Sequence, residues 1–212
     1  DAAQAIGGKY HSKKLGSYGD IGVTSFFPAK PLGCYGDGGC LFTDNDNLAE
    51  KLISLRYHGK GSYKYEHVRI GLNGRMDTIQ AAVLLEKLEI FENEVEKRQN
   101  IASLYHSLLK DNNSVIIPTV YHSCKSAWSQ YSILSEKRDS IQQYLKKRAI
   151  PTAVYYPKPI HLQSGYKFLG YDESDFPVSE SVAKRILSLP MHPYLEMQQI
   201  ERIASELNEF NR

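Results

Sequence analysis

The sequence predicts an α/β chain built in two parts around one long helix. Three observations predict it. Residues 1 to about 70 are rich in Gly and in short β-like runs, residues 77–110 carry an unbroken helical periodicity, and residues 115–212 alternate strand and helix patterns. A length of 212 residues suffices for one large domain, or one domain plus part of another.

In the first part, Val23, Ser25 and Phe27 alternate with Thr24 and Phe26 ahead of a Pro, and Cys40, Leu41, Phe42 and Thr43 follow a Gly pair. Both runs read as short buried strands bounded by turns. Between them, Pro31 to Gly39 holds four glycines and a proline and reads as a loop. Asp46 to His58 reads as a helix with Leu48, Leu52 and Leu55 on one face and a stop at Gly59. From Asp77 to Lys110, Ile79, Val83, Leu84, Leu88, Phe91, Val95, Ile101, Leu104 and Leu108 recur at helical spacing with no Gly or Pro, and Asp77 and Thr78 offer caps. Such a helix either connects two domains or bends near Asn93. The boundary is placed inside it, giving 1–92 as part of a large domain and 93–212 as a small C-terminal domain. The latter is an α+β unit with strands at Trp128–Leu134 and Thr152–Tyr156 and helices at Lys137–Arg148, Pro177–Leu187 and Glu196–Phe210. Trp128 reads as part of its core.

Composition excludes several classes. Lys+Arg 26 against Asp+Glu 24 gives a net charge of +2, so no global field argues for nucleic acid or an anionic membrane. Aromatic content of 11% argues against disorder. No apolar run approaches bilayer length, and mean hydropathy is −0.43. Cys34, Cys40 and Cys124 form neither an even disulfide framework nor a CxxC pair, and the seven histidines lack an HxxxH pair. The cysteines read as reduced thiols of a cytoplasmic protein, and no metal site is expected. The sequence opens at Asp1 inside a recognisable motif, so it is expected to be the C-terminal portion of something longer.

The chemistry centres on Lys30, held between Pro28-Ala29 and Pro31. Flanking prolines keep it out of a helix. Apolar and aromatic neighbours would partly desolvate its amine, lowering its pKa from about 10.4, as a Schiff-base lysine requires. The glycines that follow let the backbone approach a planar ligand or a phosphate. Two other readings stand beside this one: an ordinary surface lysine, and a P-loop, whose lysine follows its glycines instead of preceding them.

Several motifs occur in order along nearly the whole chain: Asp1-Ala2-Ala3-Gln4-Ala5, Gly19-Asp20, Ser25-Phe26-Phe27-Pro28-Ala29-Lys30, Gly36-Asp37-Gly38-Gly39, Arg56-Tyr57-His58-Gly59, Ile70 to Asp77, Gln80-Ala81-Ala82 and Tyr155 to Gln163. Together they resemble the DegT/DnrJ/EryC1/StrS family of sugar aminotransferases. The resemblance implies part of a PLP-transferase type I large domain, a mostly parallel sheet with helices, joined by the long helix to the smaller domain. It implies pyridoxal 5'-phosphate (PLP) as cofactor. Lys30 would bond to the cofactor and shuttle the proton. Asp1 would pair with the pyridine nitrogen. Gln4 would lie by the ring, and Ser25 would donate to the phosphate. Asn73 would reach the phosphate of a second copy's cofactor, making a homodimer with shared active sites. Members that dehydrate sugars carry His at the lysine position, so Lys30 favours transamination. The N-terminal half, present in the family, would add further phosphate contacts and a stacking aromatic residue.

The Lys30 segment is most similar to enzymes acting on UDP-2-acetamido-2-deoxy-3-oxo-glucuronate, with glutamate as amino donor, in surface polysaccharide biosynthesis. The expected partners are therefore a nucleotide-sugar and glutamate. Arg75 is the candidate for the sugar carboxylate, because a planar guanidinium grips one in bidentate fashion; a structural pairing with Asp77 is the competing reading. Tyr155, Tyr156 and His161 are candidate substrate contacts, against a half-buried strand and a structural histidine. The alternatives are a 4-keto-6-deoxy nucleotide-sugar, and an empty fragment serving as a fold or dimerisation module.

Overall fold

A computed structural model describes residues 1–210 as two compact units. The first holds Asp1–Glu96 and Tyr121–Ser129; the second holds Lys97–Val120 and the residues from Gln130 on.

In the first unit, β1 (Lys9–Tyr10) lies between β2 (Lys13–Lys14) and a later strand at Cys124–Lys125 in a small antiparallel sheet. The segment 121–129 therefore returns to the first unit and takes Trp128 with it, out of the C-terminal core where it was expected. Strand β3 (Gly22–Ser25) pairs antiparallel with β4 (Gly39–Phe42), with Val23 opposite Leu41 and Ser25 opposite Gly39. That register sets the two ends of the loop 26–38 side by side. Helix α1 (Asp46–Arg56) starts where Asn45 Oδ1 accepts the Leu48 N–H at 3.1 Å. Asp46 in its first turn and Arg56 in its last complement the helix dipole. The chain leaves the helix through His58, whose φ of +61° turns the Gly59 N–H back to Ser54 O at 2.8 Å, and Gly59 itself has a φ of +72°. A side chain is excluded there, since a Cβ would lie 1.8 Å from Arg69 O.

The expected mostly parallel sheet does not occur: every strand pair among the described residues is antiparallel. A parallel pair needs a crossover of a dozen or more residues that returns the chain to its starting end. The link between β3 and β4 folds instead into a Gly-rich loop that closes a hairpin.

Helix α2 (Thr78–Leu109) runs 32 residues without a break at Asn93. Its part in the first unit buries Leu84, Phe91 and Val95 with Leu32 and Cys34. In the second unit it buries Ile101, Ala102, Tyr105 and Leu109. Strand β5 is Cys124–Lys125. In the second unit β6 (Tyr131–Leu134) pairs antiparallel with β7 (Ile186–Leu189), accompanied by α3 (Arg138–Lys147), α4 (Pro177–Arg185) and α5 (Met197–Glu209). Ile133, Ile141, Leu145, Leu187, Ile200 and Leu207 form its core. Helix α5 begins in a capping box between Glu196 and Gln199. Two expectations change here. Residues 152–156 contribute only a bridge from Ala153 to Ser188, and the helix from Pro177 ends at Arg185 so that Ile186 and Leu187 join β7. The ladder to β6 satisfies their backbone while burying Leu187 completely. Tyr105 donates its hydroxyl to Pro190 O at 3.0 Å, and burial pushes the neighbouring Tyr131 hydroxyl up to about 12. No helix among the described residues is long and apolar enough to cross a membrane.

Candidate active site

The site is built from the loop between β3 and β4. Phe26 N donates to Gly38 O at 2.8 Å, and Cys34 N donates to Phe26 O at 2.8 Å, so the loop is closed twice at its base. The buried Cys34 thiol lies 3.0 Å from both Phe26 O and Gly36 O and has one hydrogen to donate to the pair. Lys30 sits in the outer turn, its N–H donating to Phe27 O at 2.9 Å. The turn is tight: a Cβ on Gly33 would come within 2.6 Å of Pro28 O. Pro31 through Cys34 are buried, which anchors the turn, while Lys30 itself is half-buried. Its ammonium takes part in no ion pair among the described residues.

The first-unit residues marked by the motifs adjoin this loop along the chain and through main-chain bonds. Ala2 N donates to Val23 O at 2.7 Å, which holds Asp1 and the following turn against β3. Asp1 Oδ1 accepts the Ala3 N–H at 2.7 Å, a local cap that fixes the carboxylate at the start of the turn carrying exposed Gln4. Ser25 ends β3, and its Oγ accepts the Phe27 N–H at 3.2 Å. Its hydroxyl hydrogen has no acceptor among the described residues, so it is available to donate. Asn73 and Arg75 lie elsewhere in the first unit, on the exposed stretch after α1. Asn73 Oδ1 accepts from Arg75 Nε at 2.9 Å, and the guanidinium lies 4.7 Å over the Tyr57 ring. Arg75 also holds the Tyr57 hydroxyl below its ordinary value, chiefly by donating a hydrogen bond to it. The competing expectation, a pair with Asp77, is therefore replaced by Asn73 and Tyr57.

The remaining three candidates belong to the second unit. Tyr155 and Tyr156 are exposed, with ring centroids 5.6 Å apart. His161 is only 7% exposed, and its Nε2 lies 3.1 Å from Glu180 Oε1. Its ring tip is thus occupied inside the unit and unavailable to a sugar as placed; this is the structural histidine of the competing reading. Sequence reasoning missed three supports. Gln80 Oε1 accepts the Tyr35 N–H at 2.8 Å, Lys87 Nζ donates to Gly33 O at 2.5 Å, and Glu180 holds the second unit's loop. Gln80, Leu84 and Lys87 follow i, i+4, i+7 spacing, the signal that marks one helix face.

A hollow of about 1160 Å³ in the first unit opens against β3, β4 and α1 and reaches the base of the loop at Phe26 and Gly39; Val23, Leu41, Phe42, Leu52 and Leu72 are among its lining. Its walls are mainly apolar, with Lys14, Asp44 and Arg56 also on the lining, and it reads as an uncovered apolar face.

The sequence model of the DegT/DnrJ/EryC1/StrS aminotransferase family matches residues 1–208. The chain belongs to this family. A DegT/DnrJ/EryC1/StrS relative, the UDP-2-acetamido-2-deoxy-3-oxo-D-glucuronate aminotransferase of Pseudomonas aeruginosa, is 42% identical over 207 residues, which are 98% of this chain and 56% of that protein. A DegT/DnrJ/EryC1/StrS aminotransferase from Brucella abortus superposes with a TM-score of 0.94 at 52% identity, covering 99% of this chain and 56% of that one. NtdA from Bacillus subtilis, solved with bound cofactor PMP, superposes with a TM-score of 0.85 at 28% identity, covering 99% of this chain and 49% of that one. The chain therefore spans about half the length of these relatives. The likeness supports an α/β aminotransferase fold.

The residues fit a pyridoxal phosphate group on their own chemistry. An amine without an ion-pair partner among the described residues, a carboxylate on an anchored turn and a hydroxyl with a hydrogen to donate are the donor set that an aldehyde, a pyridine nitrogen and a phosphate call for.

Proposed function

We propose that this chain is the C-terminal portion of a PLP-dependent aminotransferase acting on UDP-2-acetamido-2-deoxy-3-oxo-glucuronate, with glutamate as amino donor. The observation that carries the reading is Lys30: a half-buried amine without an ion-pair partner among the described residues, on a turn closed by hydrogen bonds at its base. Pyridoxal phosphate, when bound, supplies an aldehyde and an electron-withdrawing ring. Lys30 holds the cofactor and moves the proton at the substrate carbon. Asp1 keeps the pyridine nitrogen charged by Coulombic pairing. Ser25 donates to the phosphate, Gln4 lies beside the ring, and Asn73 serves the phosphate held by a second copy. Arg75 binds the uronate carboxylate; stacking on Tyr57 pre-orients its planar fork. Tyr155 and Tyr156 offer exposed rings to the sugar, while His161 stays a structural residue bonded to Glu180.

The test is reductive trapping. The full-length protein is incubated with pyridoxal phosphate and borohydride and then digested, and the pyridoxyl group is located by mass spectrometry. It is expected on Lys30, with its visible absorbance bleached, and Lys30→Ala should lose both the label and the transamination. Wild-type turnover by Lys30→Ala would remove Lys30 from its role. A wild-type protein that never takes the label would support the reading of an empty module. Offering the 3-oxo uronate and 4-keto-6-deoxy sugars with glutamate then decides the substrate.

A further inference from the structure

Helix α2 touches the lysine loop at three points on one face. Gln80 Oε1 accepts the Tyr35 N–H at 2.8 Å; one turn on, Leu84 packs with Leu32 and Cys34; at the next, Lys87 Nζ donates to Gly33 O at 2.5 Å and lies 5.8 Å from the Tyr35 ring centroid. The two polar residues therefore grip loop backbone on either side of an apolar contact. Gly36 is the counterpart on the loop, since a Cβ there would meet Gln80 Nε2 at 2.9 Å. A loop that only had to close the hairpin is already closed by its own base bonds at Phe26, Cys34 and Gly38. The helix contacts act on Gly33 and Tyr35, just after the turn carrying Lys30.

We infer that Gln80 and Lys87 are positioning residues, which fix the Lys30 turn on α2 so that the amine is presented at one place. This rests on the reading of Lys30 as the cofactor-bonding amine. A loop backbone hung from a helix by two polar side chains keeps its position when the amine is freed from the cofactor and must return to it. A small displacement of a reacting group is costly, on the order of 100-fold for about 1 Å.

The experiment uses the full-length protein with pyridoxal phosphate as the probe. Gln80→Ala and Lys87→Met remove the grips; Gln80→Glu retains an acceptor oxygen and Lys87→Arg a cationic donor. Amide hydrogen exchange at Tyr35 is read alongside the rate of borohydride-trapped labelling at Lys30 and the pH midpoint of the visible band. Gln80→Ala should speed Tyr35 exchange and slow Lys30 labelling, each on the order of tenfold, with β3 amides unchanged. Lys87→Met should slow labelling comparably and shift the midpoint. Gln80→Glu and Lys87→Arg should restore labelling, and Gly36→Ala should reproduce the Gln80→Ala defect from the loop side. Unchanged Lys30 labelling and midpoint in both Gln80→Ala and Lys87→Met, with Tyr35 exchange raised, would overturn the inference. A wild-type protein that leaves Lys30 unlabelled would show a different failure, that of the functional reading itself, before any variant is made.

Discussion

At Glu180 three donors converge on one carboxylate. Ser174 N reaches both oxygens at 3.0 Å, Phe176 N lies at 3.2 Å, and His161 Nε2 at 3.1 Å. The Ser174 amide above all, helped by Phe176 and His161 against the opposing effect of burial, holds the carboxyl below the ordinary Glu value of 4.5. A depressed folded value means that stability from this group is complete above the ordinary value and is lost as pH falls through the depressed one. Denaturant midpoints measured near neutrality and again below the ordinary Glu range should therefore drop more in the wild type than in Glu180→Gln. Equal drops would show that some other carboxylate governs the acid limb. Arg75 is the second residue with a separable consequence. Its removal should lower kcat/KM for the uronate on the order of 100-fold, as loss of one partner of a desolvated charge pair does, and leave a neutral 3-oxo sugar far less affected. Steady-state kinetics on the two sugars make the comparison, and equal losses would take Arg75 out of carboxylate recognition.

Helix α2 was the most legible element, because 32 residues without Gly or Pro leave few alternatives. What its periodicity could not say is which apolar residues face a partner: Ile79 is 76% exposed while Leu84 is 5% exposed. Leu84 fills the space between Leu32 and Cys34, so Leu84→Ala should cost about 2–5 kcal/mol in a denaturant titration, whereas Ile79→Ala in the same chain should cost far less. Comparable losses would mean that the Leu84 cluster is not the core of the first unit. Strands were harder to read than helices for a physical reason. β1, β2 and β5 are two residues each, too short to show alternation, and their sheet is completed only by pairing distant in sequence, Lys9 with Lys125 and Tyr10 with Cys124. β7 was hidden because Ile186 and Leu187 continue the apolar spacing of α4; only pairing with β6 draws them out of the helix. Thr152–Tyr156 had the composition of a strand and found a partner at Ala153 alone. The glycine-rich loop and the stop at Gly59 were readable, since in both places backbone sterics choose the residue.

For the whole molecule, the residues of the candidate site stood in motifs in order, while the contacts that hold its loop did not show, since Gln80 and Lys87 act on backbone atoms that no residue pattern displays. The chain also leaves much apolar surface open: Ile70 is 97%, Tyr65 84%, Tyr63 75% and Leu72 63% exposed, all on the stretch that carries Asn73 and Arg75. Exposure of that kind on one segment marks an interaction surface. The proposed homodimer, in which Asn73 would serve the cofactor of the other copy, would give this surface a use and makes a quantitative prediction. In a two-fold dimer each site then takes Lys30 from one chain and Asn73 from the other. Lys30→Ala and Asn73→Ala homodimers should both be inactive or severely impaired. If the two variants are mixed in equal amounts and allowed to exchange subunits, half of the dimers become hybrids. Each hybrid carries one site with both residues intact and one with neither, so activity should rise to about a quarter of the wild-type value. The rise should follow the rate of subunit exchange and be absent when exchange is blocked by cross-linking. A mixture no more active than its two components would mean that every site draws Lys30 and Asn73 from a single chain, and the exposed stretch would then need another partner.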